Sequence, residues 1–373
     1  MINIAYVIDT IESPTGGTEK QLLLMLEHLD RTKFSPVLCV LHSSEWLEKY
    51  FDLCPMHALN ITSYRHLTTI GRFWHFVRFL KSRDIDIVHT FFKEGMRIGI
   101  TAAKLAGVQR IISVRRSQGY WMTPFDLKVT KILNRWVDLI ISNSSNTKTW
   151  VSEVEGVSVD KIDVIHNGID LNPFISIPGN IRYQYRNSLS IPENAPVVGI
   201  VANLRPVKAI DVFIRAAQLI RKAIPAAHFV IVGDGDLEEG LKQLAADLGV
   251  SDYVHFLGRR HDIPQILSTL DIGVLSSTSE SFSNTIVEYM AAGLPVVCTD
   301  VGGAREAVED GENGFVAPVG DYKNMSEKII NIFLNDRTKS LGKESRRKAL
   351  VFFSLESMML KYEKLYLSDL VRI

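Results

Sequence analysis

Two carboxylates eight residues apart, Glu280 and Glu288, flank a predicted helix start. Ser283 and Asn284 lie between them and are residue types that cap helices, so we expect the unpaired amides of the first turn to point back toward Glu280. Such amides, with the positive end of the helix dipole, can hold an anion, while carboxylates accept hydrogen bonds from neutral hydroxyls. A sugar attached to a diphosphate presents both kinds of group.

A second group of candidate residues lies upstream, in the turn at 202–209. It joins a predicted buried strand at 197–201 to a predicted amphipathic helix at 211–221. Turns between strand and helix are where parallel sheets bind phosphates. Arg205 offers a planar fork of donors and Lys208 a compact charge, which together suit the two phosphates of a leaving diphosphate. The alternative is that both are ordinary solvated charges in an exposed turn.

Together with the run Met-Ala-x-Gly-x-Pro-Val-Val at 290–297, these residues resemble the nucleotide-sugar motif of the family 4 retaining glycosyltransferases. The resemblance implies the GT-B fold, an α/β architecture of two Rossmann-like domains whose parallel sheets face a cleft. It implies that Arg205 and Lys208 neutralise the departing pyrophosphate. It also implies donor contacts from Glu280 to the sugar, from Glu288 to the ribose hydroxyls, and from Phe282, Ser283 and Asn284.

Two departures from the family pattern concern the same loops. Many members have glycines beside the first acid, where this chain has Ser281 and Ser283. The arginine usually follows the small residue directly, at the position of Asn203, so its role is transferred here to Arg205. We therefore predict that Arg205, Lys208 and Glu280 are the catalytic residues.

The N-terminal half also resembles this family. A predicted strand at 3–8 leads into a loop with Gly16 and Gly17 and then a predicted helix. Glycines allow backbone conformations and close approaches that a side chain blocks, and in the family this loop faces the transferring phosphate. The resemblance also puts Gly233 at a strand end on the cleft side. An ordinary tight turn is the other interpretation of the two adjacent glycines.

A histidine that many family members carry after the strand corresponding to 110–114 is missing. Arg115 and Arg116 stand there, and Asn167 lies in a run at 165–170 that resembles another family landmark. We expect these three residues as contacts to the acceptor or the donor, with an anionic group bound by an arginine. Ion pairs with nearby acids are the alternative for both arginines.

Composition agrees with a two-domain globular protein. The chain has 373 residues, 46% hydrophobic and 23% charged, with zero formal net charge, so nothing calls for nucleic acid. Its three cysteines have no metal-ligand spacing, and we expect neither a metal nor a cofactor. No secretory signal or membrane-spanning run is apparent, which predicts a cytoplasmic protein.

One segment, 93–135, is locally basic, with nine Lys or Arg against two acids. It also contains Tyr120, Trp121, Met122 and Phe125, a mixture that suits the surface of an anionic membrane. A lipid-linked acceptor would make contact with the inner face of the cell membrane useful. The other interpretation is a solvated basic face.

Alternating strand and helix patterns run through the whole chain and indicate parallel sheets covered by helices. Strands are predicted at 37–41, 85–89, 111–114, 139–142 and 161–165, then at 197–201, 228–232, 254–257, 272–275, 296–298 and 315–317. Apolar residues at 70–81 have helical spacing and predict a helix facing the core. We expect an acceptor-binding domain at 1–171, a linker and lead-in at 172–195, and a nucleotide-sugar domain at 196–354. By resemblance, a last helix at about 355–373 packs on the first domain.

Two competing motifs are weak. Asp84-Ile85-Asp86 has the Asp-x-Asp pattern with which other glycosyltransferases hold a metal, but it heads a buried strand. The glycines at 233 and 235 begin like a dinucleotide fingerprint, yet Glu238 occupies the place of the third glycine.

The predicted function is a metal-independent, retaining hexosyltransferase that moves a sugar from a nucleoside diphosphate sugar, most often UDP-linked in this family, to a hydroxyl. By resemblance, its setting is bacterial cell-surface polysaccharide or glycolipid synthesis. A nucleotide-sugar-binding protein without catalysis and a GT-B epimerase remain alternatives. The sugar, the acceptor, the linkage and the oligomeric state are not specified by the sequence.

Overall fold

The computed structural model describes residues 1–14, 16–63, 66–120 and 122–368. The chain divides into two compact units, Met1–Asn167 with Met358–Ile373, and Gly168–Ser357. Each unit contains one parallel sheet with helices between successive strands. The predicted α/β class with two parallel sheets is confirmed.

The first unit has seven strands in the order β3-β2-β1-β4-β5-β6-β7. Their bounds are β1 (Ile2–Ile8), β2 (Phe34–Val40), β3 (Met56–Ala58), β4 (Ile87–Thr90), β5 (Arg110–Arg115), β6 (Leu139–Ser142) and β7 (Ile162–Val164). The central strands β4, β5 and β6 are buried at every position, as expected when helices cover both faces of a parallel sheet. Strand β3 was not predicted, because it has three residues and begins with an exposed methionine.

Six helices follow the strands of this unit: α1 (Gly17–His28), α2 (Glu45–Tyr50), α3 (Leu67–Ser82), α4 (Lys93–Ala106), α5 (Pro124–Leu133) and α6 (Ser145–Glu155). Helix α3 confirms the helical spacing predicted at 70–81. Phe76, Val77 and Leu80 face the core, whereas Trp74 is 47% exposed. The prediction that this helix faces the core therefore holds for one stripe of residues and not for Trp74.

The second unit has six strands in the order β10-β9-β8-β11-β12-β13. Their bounds are β8 (Val197–Val201), β9 (His228–Val232), β10 (Val254–Phe256), β11 (Ile272–Leu275), β12 (Val296–Thr299) and β13 (Gly314–Ala317). All six agree with the predicted strands to within one residue at each end. Short apolar runs between turn residues were sufficient to find them.

The helices of this unit are α7 (Asn172–Ile175), α8 (Ile181–Ser188), α9 (Ile210–Ala223), α10 (Glu238–Asp247), α11 (Ile263–Thr269), α12 (Asn284–Ala291), α13 (Ala304–Ala307), α14 (Tyr322–Leu334) and α15 (Thr338–Phe352). A last helix, α16 (Leu355–Leu367), begins in the second unit and continues into the first. Its Tyr366 hydroxyl lies 2.8 Å from Nδ1 of the buried His89. Residues 369–373, included in the predicted last helix, lie outside the described residues.

Residues 172–195, expected as a linker and lead-in, contain α7 and α8 and lie in the second unit. Arg186 of α8 is 1% exposed and donates to the carbonyl oxygens of Thr269 and Ala195 at 2.8 and 2.9 Å. It also pairs with Asp271 at 2.9 Å. A buried arginine needs such partners for its donors, so this segment is packed as part of the second unit.

Both sheets have a topological switch point, where successive connections leave to opposite sides. In the first sheet it lies between β1 and β4, and in the second between β8 and β11. Ligands of open parallel sheets bind outside the carboxyl ends of the strands at such a point. The loops after these four strands are therefore the places to look for a site.

Candidate functional site

Two loops meet at the switch point of the second sheet. One follows β8 and contains Lys208, and the other follows β11 and contains Glu280. Lys208 Nζ lies 2.5 Å from Glu280 Oε1, and the two side chains are 25% and 15% exposed. The fold thus brings together a cation and a carboxylate that are 72 residues apart in the chain.

Two adjacent serines directly after β11 hold this pair in place. The Ser276 hydroxyl donates to the backbone carbonyl of Lys208 at 2.8 Å, and the Ser277 hydroxyl donates to Glu280 Oε1 at 2.8 Å. Both serines are at most 1% exposed. Sequence reasoning missed them, although two hydroxyl residues straight after a buried strand were a usable signal.

The backbone of the 202–209 turn is strained next to Lys208. Ala209 has a φ of 44°, in the left-handed region that residues with a Cβ seldom adopt. The amide of Thr278 donates to the carbonyl of Val207 at 2.8 Å, which ties the two loops together. Strain of this kind persists where surrounding contacts enforce it, and it is frequent at functional sites.

Arg205 lies in the same turn but has a different environment. Its side chain is exposed, and within the described ranges its guanidinium makes no hydrogen bond or ion pair. The structure therefore brings Lys208 and Glu280 into contact and leaves Arg205 in solvent three residues away.

Helix α12 begins at Asn284, with Ser283 as the residue before it. The Ser283 side chain makes no capping hydrogen bond to the helix, and Glu288 is half-buried in the second half of the helix. The ring of Phe282 is 7% exposed and lies 5.6 Å from the ring of Phe353, centroid to centroid. A donor contact from Phe282 would have to come from its backbone, because its side chain belongs to the core.

A third loop, after β12, packs beneath Glu280. Gly302 has a φ of 50°, and a Cβ added there would overlap the carbonyl oxygen of Glu280. The amide of Gly303 donates to the carbonyl of Ser281 at 2.8 Å. The close backbone approach explains the glycine at 302, whose role the sequence did not reveal.

Gly233, at the end of β9, also makes a close backbone approach. It has a φ of 134°, and an added Cβ would overlap the carbonyl oxygen of Ala202. Its amide donates to the carbonyl of Gly258 at 2.8 Å. Glycine is therefore required at this strand end, beside the turn that contains Lys208.

A cavity of about 260 Å³ opens beside these loops. Three cations border it, Lys208, Arg259 and Arg260, and Arg259 pairs with Asp234 at 3.0 Å. Sequence reasoning missed both arginines because they follow the short strand β10 without a recognisable motif. Arg260 pairs with Asp262 at 2.6 Å, so each of the three cations has a carboxylate partner. The lining residues themselves carry three cations against the one carboxylate of Asp234, a balance that suits an anionic ligand at the carboxyl ends of parallel strands. The lining residues are Val201, Ala202, Asn203, Lys208, Val232, Gly233, Asp234, Arg259, Arg260, Ile263 and Thr285.

In the first unit, the predicted glycines open α1. Gly16 is the N-cap with a φ of −63°, and an added Cβ would overlap the Glu19 carboxylate. Gly17 has open space around its Cα. Neither glycine has the positive φ for which glycine is usually needed, and the Glu19 carboxylate near Gly16 is the end of a flexible side chain that can move aside, so the local backbone does not require glycine at either position.

Arg115 is held by a buried ion pair. Its Nε lies 2.9 Å from Glu155 Oε1, and the two side chains are 6% and 0% exposed. Ser113 and Asn134 accept its remaining donors at 2.6 and 2.9 Å. Arg115 therefore forms an ion pair with a nearby acid, which was the alternative interpretation.

Arg116 instead donates to the side-chain oxygen of Asn167, so the structure brings two of the three predicted contact residues together.

Asp9, which sequence reasoning also missed, follows β1 at the switch point of the first sheet. Its carboxylate accepts from the amide of Gly95 in the first turn of α4. Burial raises the pKa of Asp9 to about 6.

Asp86, part of the Asp-x-Asp triplet, has a structural role. Its carboxylate accepts a hydrogen bond from the backbone amide of Asn3 at 2.8 Å.

None of the helices in the described part of the chain combines the length and apolar character that crossing a bilayer requires. Across the described ranges, no three His, Cys, Asp or Glu side chains are grouped as a metal ion would require. Trp121 of the basic and aromatic segment lies outside the described residues.

Comparison with known sequences identifies two family matches that together span most of the chain. Residues 182–348 match the family described as Glycosyl transferases group 1, and residues 15–173 match Glycosyltransferase Family 4. An Escherichia coli relative, UDP-Gal:alpha-D-GlcNAc-diphosphoundecaprenol alpha-1,3-galactosyltransferase, is 29% identical over 79% of this chain and 78% of its own length. D-inositol 3-phosphate glycosyltransferase of Thermomonospora curvata is 36% identical over 48% of this chain and 44% of its own.

Solved structures match this chain over nearly its full length. Anabaena HepE in complex with UDP has a TM-score of 0.85 at 25% identity and covers 98% of this chain and 99% of its own. The same protein in complex with UDP-glucose has a TM-score of 0.80. WaaG, a glycosyltransferase involved in lipopolysaccharide biosynthesis, has a TM-score of 0.72 at 16% identity, covers 98% of this chain and 100% of its own, and shares the fold.

Proposed function

Because this chain belongs to the family 4 glycosyltransferases and has their GT-B fold, we propose that it transfers a sugar from a UDP-sugar to a hydroxyl group, with retention of configuration. The donor is a UDP-hexose or a related nucleoside diphosphate sugar. The proposed reaction uses no metal or other cofactor.

The observation that carries the proposal is the Lys208–Glu280 pair at the switch point of the second sheet, next to a cavity bordered by cations. A diphosphate needs the cations, and a sugar needs acceptors for its hydroxyls. HepE, which matches nearly the whole chain, has been solved in complex with UDP and with UDP-glucose. That likeness supports a uridine nucleotide over other bases.

The chemical barrier is the departure of the diphosphate while positive charge develops on the sugar. In the proposed mechanism, Lys208 and the exposed Arg205 stabilise the negative charge that builds on the leaving group, and the amides at the start of α12 contribute. Removing one such contact typically costs about 3 kcal/mol in the transition state, which is about a hundredfold in rate. The cations thus perform the task that a metal ion performs in other transferases.

Glu280 and Glu288 have binding roles in the proposal. Glu280 accepts hydrogen bonds from hydroxyls of the transferred sugar, and Glu288 accepts them from the ribose. The contact of Glu280 with Lys208 supports this assignment, because the carboxylate proposed for the sugar lies next to the cation proposed for the pyrophosphate. Gly233 allows the carbonyl of Ala202 to pack against the end of β9, which helps to position the 202–209 turn.

We place the reaction in bacterial cell-surface polysaccharide or glycolipid synthesis, at the inner face of the cell membrane. The printed name of the Escherichia coli relative describes a lipid-linked acceptor. The surface of the first unit supports the membrane location, since Tyr120, Phe125 and Ile132 are 90%, 70% and 46% exposed. Lys128 and Lys131 are exposed on the same helix as Phe125, and this combination binds anionic membranes.

The proposal is tested by incubating the protein with a panel of UDP-sugars and lipid-linked sugar acceptors, with and without a chelator. We expect acceptor-dependent release of UDP and a glycosylated product with the anomeric configuration of the donor. Lys208→Ala should lower the rate about a hundredfold, and Lys222→Ala, at an exposed lysine of α9, is the matched control. Donor binding without UDP release would indicate a binding protein, and an altered sugar still attached to UDP would indicate an epimerase.

A further inference from the structure

A groove of about 290 Å³ lies in the first unit, between α1, α2 and residues 51–53. The loops that contain Lys208 and Glu280 belong to the second unit and do not line it. Arg116 and Asn167 do not line it either, and none of its lining residues comes from the loops after β4 and β5. The groove is therefore separate from the residues to which the proposed transfer reaction is assigned.

Contacts within the first unit hold the walls of this groove in place. The Ser44 hydroxyl accepts from the amide of Leu47 at 3.2 Å, which caps the start of α2, and it donates to the carbonyl of Ile11 at 2.5 Å. Arg31 donates to the carbonyl of Leu53 at 2.9 Å and so holds the loop after α2 near the end of α1. Walls held in this way are formed before a ligand binds, which lowers the entropy cost of binding.

Two aromatic side chains of α2 line the groove. Trp46 is half-buried and Tyr50 is 58% exposed, and their ring centroids lie 6.5 Å apart with the ring planes at 39°. They share one side of the helix because they are four residues apart. Leu23 and Leu24 of α1 are half-buried and line the groove as well. The faces of aromatic rings carry partial negative charge and attract C–H groups of a ligand.

Three charged side chains also line the groove. They are Lys20 and Glu27 of α1, and Asp52 in the loop after α2. Lys20 and Glu27 are seven residues apart, which is about two helical turns, so they mark two ends of one helix face. Asp52 is exposed and makes no hydrogen bond or ion pair with another described residue. The groove thus combines aromatic faces with hydrogen-bonding groups of both charges.

We propose that this groove binds a neutral sugar chain, at a distance from the reacting end of any acceptor. A pyranose ring has a face of C–H groups, which packs on Trp46 and Tyr50, and hydroxyls around its edge. Those hydroxyls donate to the carboxylates of Glu27 and Asp52 and accept from the ammonium of Lys20. The inference goes beyond the proposed function, because binding in the groove requires neither the donor nor the transfer step. In a glycosyltransferase, such a site keeps the protein on its glycan between transfers.

Other occupants fit these residues less well. Two carboxylates outnumber one cation in the lining, which disfavours nucleotides, phosphate and anionic lipids. An alkyl chain would remove water from three charged groups without replacing their hydrogen bonds. A stable protein interface has about 20–30 residues on each side, whereas ten residues line this groove.

The test is titration of the full chain, saturated with UDP, with cellotetraose, maltotetraose and chitotetraose, followed by saturation-transfer NMR. Sorbitol, an open-chain polyol without the C–H face of a ring, is the control ligand. We expect at least one tetrasaccharide to bind severalfold more tightly than sorbitol. Trp46→Ala should weaken that binding about tenfold, and Trp46→Phe should restore most of it. Trp74→Ala removes a 47% exposed indole of α3 outside the groove and should change nothing.

The charged part of the lining has its own variant. Asp52→Asn should weaken the same sugar severalfold, because an uncharged acceptor makes weaker hydrogen bonds to hydroxyls. Binding by none of the three sugars, or equal binding of sorbitol, would overturn the proposal. An unchanged affinity in Trp46→Ala would locate the sugar elsewhere and would also overturn it.

A second copy of the chain is the competing occupant that sedimentation of the protein alone detects. A dimer that Trp46→Ala dissociates would make the groove an interface between copies and would overturn the proposal. If Trp46→Ala fails to fold, Tyr50→Ala decides, because so exposed a side chain contributes little to folding. UDP binding by the same variants reports on the second unit and should not change, so failure of the proposed function is seen separately.

Discussion

Lys208 Nζ and Glu280 Oε1 lie 2.5 Å apart, and the Ser277 hydroxyl shares the same carboxylate oxygen at 2.8 Å. Before a donor binds, the cation proposed for the pyrophosphate is thus neutralised by the carboxylate proposed for the sugar. Ion pairs of this kind orient both partners, and removing one leaves the other less constrained.

Glu280→Gln should separate donor binding from turnover. The glutamine oxygen still accepts from Ser277, but Lys208 loses its counter-charge and becomes more available to phosphate. We expect UDP to bind severalfold more tightly while the transfer rate falls at least tenfold, because the sugar loses a charged acceptor. Calorimetry with UDP and initial rates with the UDP-sugar measure the two effects. A parallel loss of UDP affinity and rate would contradict the assignment of Glu280 to the sugar.

Ser277→Ala should reduce turnover without removing a group that contacts substrate. The hydrogen bond from Ser277 to a charged carboxylate is worth roughly 1.5–3 kcal/mol, so we expect about a tenfold loss in kcat/KM. Ser277→Thr keeps the hydroxyl and should restore most of the activity. A structural role alone would lower the melting temperature of Ser277→Ala and leave the kinetic parameters of the folded enzyme unchanged.

Gly302→Ala should disrupt the loop beneath Glu280. The new Cβ would overlap the Glu280 carbonyl and would also require a positive φ. Gly311→Ala is the matched control, because Gly311 has a φ of 81° and an added Cβ there meets no atom within 4 Å. We expect the control to lose about 1 kcal/mol of unfolding free energy and Gly302→Ala to lose at least twice that. Chemical denaturation measures both, and equal losses would show that φ alone matters.

Asp9→Asn should stabilise the protein at neutral pH. Burial raises the pKa of Asp9 from 3.8 to about 6, so the native state binds more protons than the unfolded state between these values. Stability is therefore lost as pH rises through this window. The asparagine keeps an acceptor for the Gly95 amide and never ionises. We expect a gain on the order of 1–2 kcal/mol at pH 7.5, because Asp9 is ionised at this pH and its carboxylate is destabilised in the native state relative to the unfolded chain.

That gain should disappear near pH 4, where the carboxyl of Asp9 is protonated in the native state. Thermal melts of both proteins from pH 4 to 8 measure the difference. Asp252→Asn, which replaces an exposed carboxylate, separates the loss of one negative charge from the loss of a buried one. A pH-independent difference at position 9 would show that the carboxylate is not destabilised by burial.

The local sequence was enough to locate most strands. Runs such as Val197–Val201 and Leu139–Ser142 agree with the structure to the residue, because buried parallel strands are short apolar runs bounded by turns. Lys208 and Glu280 were proposed as site residues from their types, their positions next to predicted helix starts and the family resemblance, and their catalytic roles stay predictions. Strand β3 was missed because its three residues carry no such pattern.

Contacts between distant segments were decided by the tertiary structure. The order of strands places β8 next to β11, and only this order brings Ser277, Glu280 and Lys208 together. Likewise, Arg115 is buried because Glu155 ends a helix beside it, and Gly302 is needed because another backbone lies where a Cβ would stand. Spacing along the chain determines which face of an element a side chain occupies. The residues that this face contacts depend on the order of the strands and on packing, and both are determined by the complete chain.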